Sequence, residues 1–157
     1  MENNADPTPL RWGIAATGSI AAKMCTALQS LPDADVAAVG SRTTESAEAF
    51  ADRFVIARAH GSYEDLWADT DVDVVYIASP HSHHHAMTIA ALDAGKHVLC
   101  EKAFAVNATQ AREMVDAARR NDRFLMEAMW TWFIPAAIDI RNRVLDGQVG
   151  ELKVVEA

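Results

Sequence analysis

The run Val72-Asp73-Val74-Val75-Tyr76-Ile77-Ala78 constrains this chain more than any other stretch. It is apolar and β-branched almost throughout, the pattern of a strand covered by helices on both faces. Short apolar runs alternate with helical patterns on either side of it. That alternation is the signature of βαβ units. The fold class expected is α/β, a doubly wound and mostly parallel sheet of the Rossmann type.

In chain order, strands are expected at Leu10 to Ala15, Asp35 to Gly40, Val55 to Ala59, Val72 to Ala78, His97 to Cys100 and Phe124 to Ala128. The first helix runs from Ser19 to Gln29, with Ile20, Met24 and Leu28 on its buried face, and Leu31-Pro32-Asp33 ends it. A second follows the loop Ser41-Arg42-Thr43-Thr44 and reaches Phe54. Ser62-x-x-Asp65 resembles a capping box for a short helix to Trp67, and Asn107-x-x-Gln110 one for a helix to Asn121. Between them His83 to Ala94 reads as a helix stopped by Gly95. Pro135 opens a last helix, Ala136 to Leu145, closed by Gly147. Glu151 to Glu156 reads as one more strand.

In a doubly wound sheet, ligands bind beyond the carboxyl ends of the strands. Four strand ends are therefore candidates: Ala16-Thr17-Gly18-Ser19 with Ile20, then Ser41-Arg42, Ser79-Pro80-His81 and Glu101-Lys102. The first opens a helix, where unpaired amides and the dipole favour a phosphate. The dinucleotide fingerprint is G-x-G-x-x-G/A, and here it reads Ala16-x-Gly18-x-x-Ala21. Only the middle glycine, which lets a pyrophosphate approach, is intact. Taken alone, the turn suits a nucleotide or an ordinary strand-to-helix connection equally. Alanine at its first position implies a negative φ there.

An NAD site places a carboxylate about 20 residues past the fingerprint, for the ribose hydroxyls. Ser41-Arg42-Thr43-Thr44 stands there instead. A guanidinium with hydroxyls suits a 2′-phosphate, so NADP is favoured over NAD as cofactor. A solvated surface arginine is the plain alternative. The missing acid also weakens a methyltransferase reading. In His81-Ser82-His83-His84-His85, His81 and His85 lie one helical turn apart, yet no carboxylate or cysteine nearby completes a ligand set. No metal site is assigned. A histidine at a strand end beside a cofactor serves as a hydrogen-bond partner or proton relay, and His83 and His85 are expected to face solvent. Lys102 at a strand end either gives a proton or hydrogen bond to a substrate oxygen or forms a surface ion pair with Glu101. Met126 to Phe133 concentrates methionine and aromatic residues after the last of the six strands, part of it core and the rest exposed to a ligand or partner.

At 157 residues, half of them hydrophobic, the chain can bury a sizeable core. Its net charge of −8 argues against nucleic acid or an anionic membrane surface as partner. No apolar run approaches the roughly 20 residues that span a bilayer. Residues 1–9 are polar and proline-containing, neither signal nor transit peptide, and read as a disordered leader. Cys25 and Cys100 form no motif and read as buried thiols of a cytoplasmic protein.

Four pieces together resemble the Gfo/Idh/MocA oxidoreductase family, and within it the branch of dihydrodiol and D-xylose dehydrogenases. They are Arg11-Trp12-Gly13-Ile14 leading into Ala16-Thr17-Gly18-x-Ile20-Ala21; Ser79-Pro80-His81-x-x-His84; Ala94 to Lys102; and Met126-Glu127-Ala128-Met129-Trp130-Thr131-x-Phe133-x-Pro135. The resemblance implies an NAD(P)-dependent enzyme acting on a sugar or related alcohol. It makes Lys102 and His84 candidate catalytic residues, sets His81 and His84 along the cofactor pocket and puts Trp130 near the nicotinamide. Two departures stand out. Ala103 replaces the motif proline, which implies a looser loop around Lys102. Trp132 stands where this branch often has arginine, which bears on substrate preference.

The family continues into a second α+β domain that supplies much of the substrate pocket and a dimer interface. By this resemblance residues 10–150 are the cofactor domain, residues 151–157 begin the second, and the rest of that domain is missing after residue 157. The alternative expectation is an inactive fragment or interaction module, prone to self-association through its uncovered apolar surface.

Overall fold

The computed structural model describes residues 8–155. Most of the expected leader, residues 1–7, lies outside them; Thr8 and Pro9 are exposed and without regular structure. Six strands form one parallel sheet: β1 (Leu10–Ala15), β2 (Ala34–Gly40), β3 (Arg58–His60), β4 (Val74–Ile77), β5 (His97–Cys100) and β6 (Leu125–Glu127). Their spatial order is β3-β2-β1-β4-β5-β6, every neighbouring pair parallel. The switch in direction falls between β1 and β4, as a doubly wound sheet requires.

Helices cover the sheet unequally. α3 (Tyr63–Ala68), α4 (His81–Asp93) and α5 (Ala108–Arg120) pack one face, around Leu66, Val75, Ile77, Leu92, Val98 and Met114. α1 (Ser19–Leu28) and α2 (Thr44–Phe54) pack the other, around Ile14, Cys25, Leu28, Val39, Phe50 and Tyr76. Two glycines admit α3. A Cβ on Gly13 or on Gly40 would lie 3.1 Å and 2.9 Å, respectively, from the Leu66 methyls.

Charged residues tie the amino ends of the strands together. Arg11 donates to both oxygens of Asp73, from Nη2 at 2.7 Å and Nε at 2.9 Å, and to Asp71 at 2.9 Å. Asp69, its side chain only 8% exposed, accepts from Arg58 at 2.8 Å and lies 2.9 Å from His60 Nε2. Burial opposes charge on Asp69, but the hydrogen bonds from His60 and Arg58 bring its pKa down to about 2. Lys96 is buried and donates to the carbonyls of Asp69 and Val72 at 2.5 Å and 2.9 Å.

Three elements depart from expectation. The third strand is not Val55–Ala59. α2 runs to Phe54, and Val55 closes it in the left-handed region at φ 56°, 91% exposed. A helix cap has overridden the strand preference of a β-branched residue. The buried stripe of α1 is Ala21, Cys25 and Leu28, one step round from the stripe expected. Small Ala21 and Cys25 bring the helix close to the sheet, and Ile20 and Met24 turn toward open space. α4 starts at His81, directly after Pro80 as its N-cap, which puts His81 and His84 on one helical face with rings 5.5 Å apart.

The last elements pack little. After β6 come a 3₁₀ turn (Trp130–Phe133) and α6 (Pro135–Leu145), and neither buries a single residue. Residues 151–155 form no strand, for nothing among the described residues pairs with them; residues 156 and 157 lie outside the description.

Candidate functional site

The parallel topology brings the four suspected strand ends to one edge. The first cleft, about 540 Å³, is lined by Ala16 to Ile20, Ser41, Arg42, Ser79 and Pro80. A recess of about 360 Å³ adjoins it, lined by Ile20, Ser79, Pro80, His81, Glu101 and Lys102. A third, apolar trough of about 710 Å³ holds Trp130 together with Met24, Tyr76, Leu99, Met126 and Phe133. Ile20, Glu101 and Lys102 belong to both recess and trough, so these spaces are continuous.

The floor of the first cleft is the start of α1. Gly18 is extended there, at φ −77° and ψ −179°, and no side chain caps the first turn. The leading amides of α1 are left without intrahelical partners. A Cβ on Gly18 would meet nothing within 4 Å, so a ligand can approach the backbone closely. Ser79 Oγ is buried in the wall without a hydrogen-bond partner among the described residues. An anionic phosphodiester suits this turn.

Ala16 corrects an expectation. Its φ is +97°, not negative. The Ala16 N–H still donates to Gly40 at 3.0 Å as part of the β1–β2 ladder, and α1 begins three residues later. The chain must therefore turn sharply at Ala16. Alanine adopts the backbone that the first glycine of the fingerprint supplies freely, at a cost of roughly 1–2 kcal/mol.

Arg42 lines the far end of the cleft and makes no ion pair among the described residues. Thr43 is otherwise engaged, its hydroxyl accepting from Ser46 N–H as the cap of α2. Four lining residues were not among the sequence candidates: Tyr63, Ala78, His83 and Met87. Tyr63 stacks on Trp67 with ring centres 5.9 Å apart. Burial pushes its phenol pKa up, and the nearby Arg42 charge partly offsets this. The only hint of its place was the Ser62 cap, which accepts from Asp65 N–H at 3.1 Å and so sets the first turn of α3 beside the cleft. His83, expected in solvent, is exposed but on the cleft wall; His85 instead lies 2.7 Å from Glu113 of α5, out of line for a hydrogen bond.

His84 does not reach the cleft. It is fully buried, with Nδ1 2.9 Å from the Ala103 carbonyl and Nε2 2.9 Å from the Ser79 carbonyl. A carbonyl faces each ring nitrogen, so His84 braces two walls of the site from behind the cleft.

The segment after β5 is held at three successive residues. Glu101 Oε2 accepts from Lys102 N–H at 3.1 Å, His84 meets the Ala103 carbonyl, and Glu127 Oε1 accepts from Phe104 N–H at 2.8 Å. The peptide bond from Lys102 to Ala103 is cis. The loop lacks the motif proline, yet its own Glu101 and side chains from α4 and β6 fix it. Lys102 itself points outward, exposed and without an ion-pair partner among the described residues. The surface pair with Glu101 is not formed; that carboxylate is buried and faces Tyr76.

The chain resembles known proteins in sequence and in fold. Residues 10–129 match the family model described as the oxidoreductase family, NAD-binding Rossmann fold, GFO_IDH_MocA. A D-xylose 1-dehydrogenase (NADP(+)) of Hypocrea jecorina is 45% identical over 159 residues, covering 94% of this chain and 41% of that protein. A trans-1,2-dihydrobenzene-1,2-diol dehydrogenase of Homo sapiens is 45% identical over 150 residues, covering 94% of this chain and 45% of that one. The crystal structure of KijD10, a 3-ketoreductase from Actinomadura kijaniata, in complex with NADP superposes with a TM-score of 0.86 at 32% identity, over 92% of this chain and 46% of the other. The chain thus spans less than half the length of the relatives it matches. The family model covers most of the described strands and helices, and the chain belongs to the Gfo/Idh/MocA oxidoreductase family, as an NAD-binding Rossmann domain.

Proposed function

We propose that the strand-end cleft binds NADP in preference to NAD, and that the chain is the cofactor half of an oxidoreductase acting on a sugar or related alcohol. The observation that carries this reading is Arg42, a guanidinium with no ion-pair partner among the described residues, beside Ser41 at the far end of a cleft floored by the uncapped start of α1. The α1 amides suit the pyrophosphate, and Arg42 with Ser41 suits the 2′-phosphate. The NADP named for the D-xylose dehydrogenase and bound in the KijD10 structure supports the same choice.

When bound, the nicotinamide supplies hydride acceptance or donation. Toward an alcohol carbon, Lys102 is the group in place to hold or move the hydroxyl proton, since its ammonium is exposed and Glu101, His84 and Glu127 fix its loop. His81, in the same recess, is the second candidate for contact with ligand, and Trp130 stands at the trough where a ring could rest. Met129, Trp130, Trp132 and Phe133 are exposed, as are Ile140 and Leu145 of α6. A covering substrate domain would bury this surface; left bare, it would pair copies of the chain, which light scattering would detect. No helix among the described residues is long and apolar enough to cross a membrane. Burial raises the thiols of Cys25 and Cys100 to pKa values of about 11 and about 12, which keeps them inert and suits the cytoplasm.

The test is a titration of the chain against NADPH and NADH, read by nicotinamide fluorescence. NADPH should bind more tightly, and Arg42→Ala should weaken NADPH about tenfold or more while moving NADH little. Equal losses would remove Arg42 from the 2′-phosphate site. Absence of binding at millimolar cofactor would overturn the reading.

A further inference from the structure

We propose that Tyr76 is a positioning residue for Lys102, acting through the carboxylate of Glu101. The inference rests on the cofactor reading above and adds a residue that no motif marks. Tyr76 lies on β4, one strand in from β5, and is 1% exposed. Its ring packs with Ile14 and Leu99 on the face shared with α1, and its hydroxyl rises to the strand end. There it donates to Glu101 Oε1 at 2.5 Å. The other oxygen of the same carboxylate accepts from the backbone N–H of Lys102 at 3.1 Å.

Glu101 thus bridges a buried phenol and the first residue of the loop. Its own N–H is fixed by the Ile77 carbonyl at 3.0 Å. A carboxylate in this setting needs its lone pairs filled, and Tyr76 fills one oxygen while Lys102 fills the other. Burial and the hydrogen bond to Glu101 both push the Tyr76 phenol upward, so it stays protonated and donating at ordinary pH. Without the hydroxyl, Oε1 loses its partner beneath the recess. The carboxylate must then turn to find another, and it takes the Lys102 backbone with it. The ring of phenylalanine would preserve the packing, which separates the hydroxyl from the core.

The experiment compares Tyr76→Phe with the unaltered 157-residue chain against two probes, NADPH and 2′,5′-ADP. The second lacks the nicotinamide end and reports only the phosphate end of the cleft. The dissociation constant for NADPH should rise about tenfold, while that for 2′,5′-ADP stays within about twofold. In a Lys102→Ala background, which keeps the loop backbone, Tyr76→Phe should then have little further effect on NADPH. Parallel losses for both probes would show a merely structural tyrosine and overturn the proposal, as would unchanged NADPH binding or additive effects of the two substitutions. If the unaltered chain binds 2′,5′-ADP but not NADPH, the nicotinamide end is not formed and Tyr76 has no such role. If it binds neither, the cofactor reading itself has failed.

Discussion

The two ends of the sheet carry the same kinds of charged side chain and treat them in opposite ways. At the amino end, Arg11, Arg58 and Lys96 all have partners, in a web with Asp69, Asp71, Asp73 and nearby carbonyls. At the carboxyl end, Arg42 and Lys102 have no ion-pair partner among the described residues. Near them the buried His84 and Glu101 and the half-buried Glu127 hold backbone in place and, among the described residues, leave the two cations unpaired. A charge with its partners built in contributes to the fold. One held without a partner beside an open cleft is available to a ligand.

That contrast can be broken most decisively at Asp69. Asp69→Ala takes the carboxylate from His60, leaves Arg58 only its longer contacts to Asp71 and removes charge facing Lys96; it should cost about 3 kcal/mol of stability by urea denaturation while leaving NADPH affinity unchanged. A change in affinity would mean that the two ends are coupled. Acid sharpens the same point. A carboxyl held at about 2 in the folded chain, against roughly 4 unfolded, adds stability that is complete above about pH 4 and lost as pH falls toward 2. The loss should amount to about 2 kcal/mol and be much shallower in Asp69→Ala, measured as urea midpoints across that window. If the two slopes coincide, Asp69 is not the group responsible.

At the carboxyl end the expected effects on stability are smaller. Ala16→Gly should raise stability by about 1 kcal/mol, seen as a higher Tm, because glycine relieves the positive φ at some cost in unfolded-state entropy. A lower Tm would mean that the turn does not strain alanine. Arg42→Ala should change stability by less than about 0.5 kcal/mol, whatever it does to NADPH. A larger loss would make Arg42 a structural residue like Arg11.

β1 and β5 were legible to the residue because an apolar run ends in each case at a turn or a charged pair. The capped starts of α2, α3 and α5 also carry their own signal: Thr43, Ser62 and Asn107 each accept from an amide three residues on. Val55 misled because its strand preference is weak beside a helix end that closes through Ala51. Most of the cleft was readable, since a doubly wound topology delivers strand ends to one edge wherever the strands are found. His84 was not, because one of four histidines in five residues gives no sign of which faces carbonyls and which faces the cleft. Tyr63 and Tyr76 were invisible for the same reason: each looks like core in the chain and meets the site only across elements.

Sequence alone determined the alternation of strands and helices, the order in which they wind, and the candidate nucleotide turn. These depend on neighbours along the chain, on periodicity and on capping. Tertiary structure alone decided the left-handed backbone at Ala16, which follows from closing the β1–β2 ladder just before α1. It also turned His84 and Glu101 inward and left Lys102 outward. Those roles depend on which donors and acceptors meet when β4, β5, α4 and β6 converge, and spacing along a single chain does not encode that.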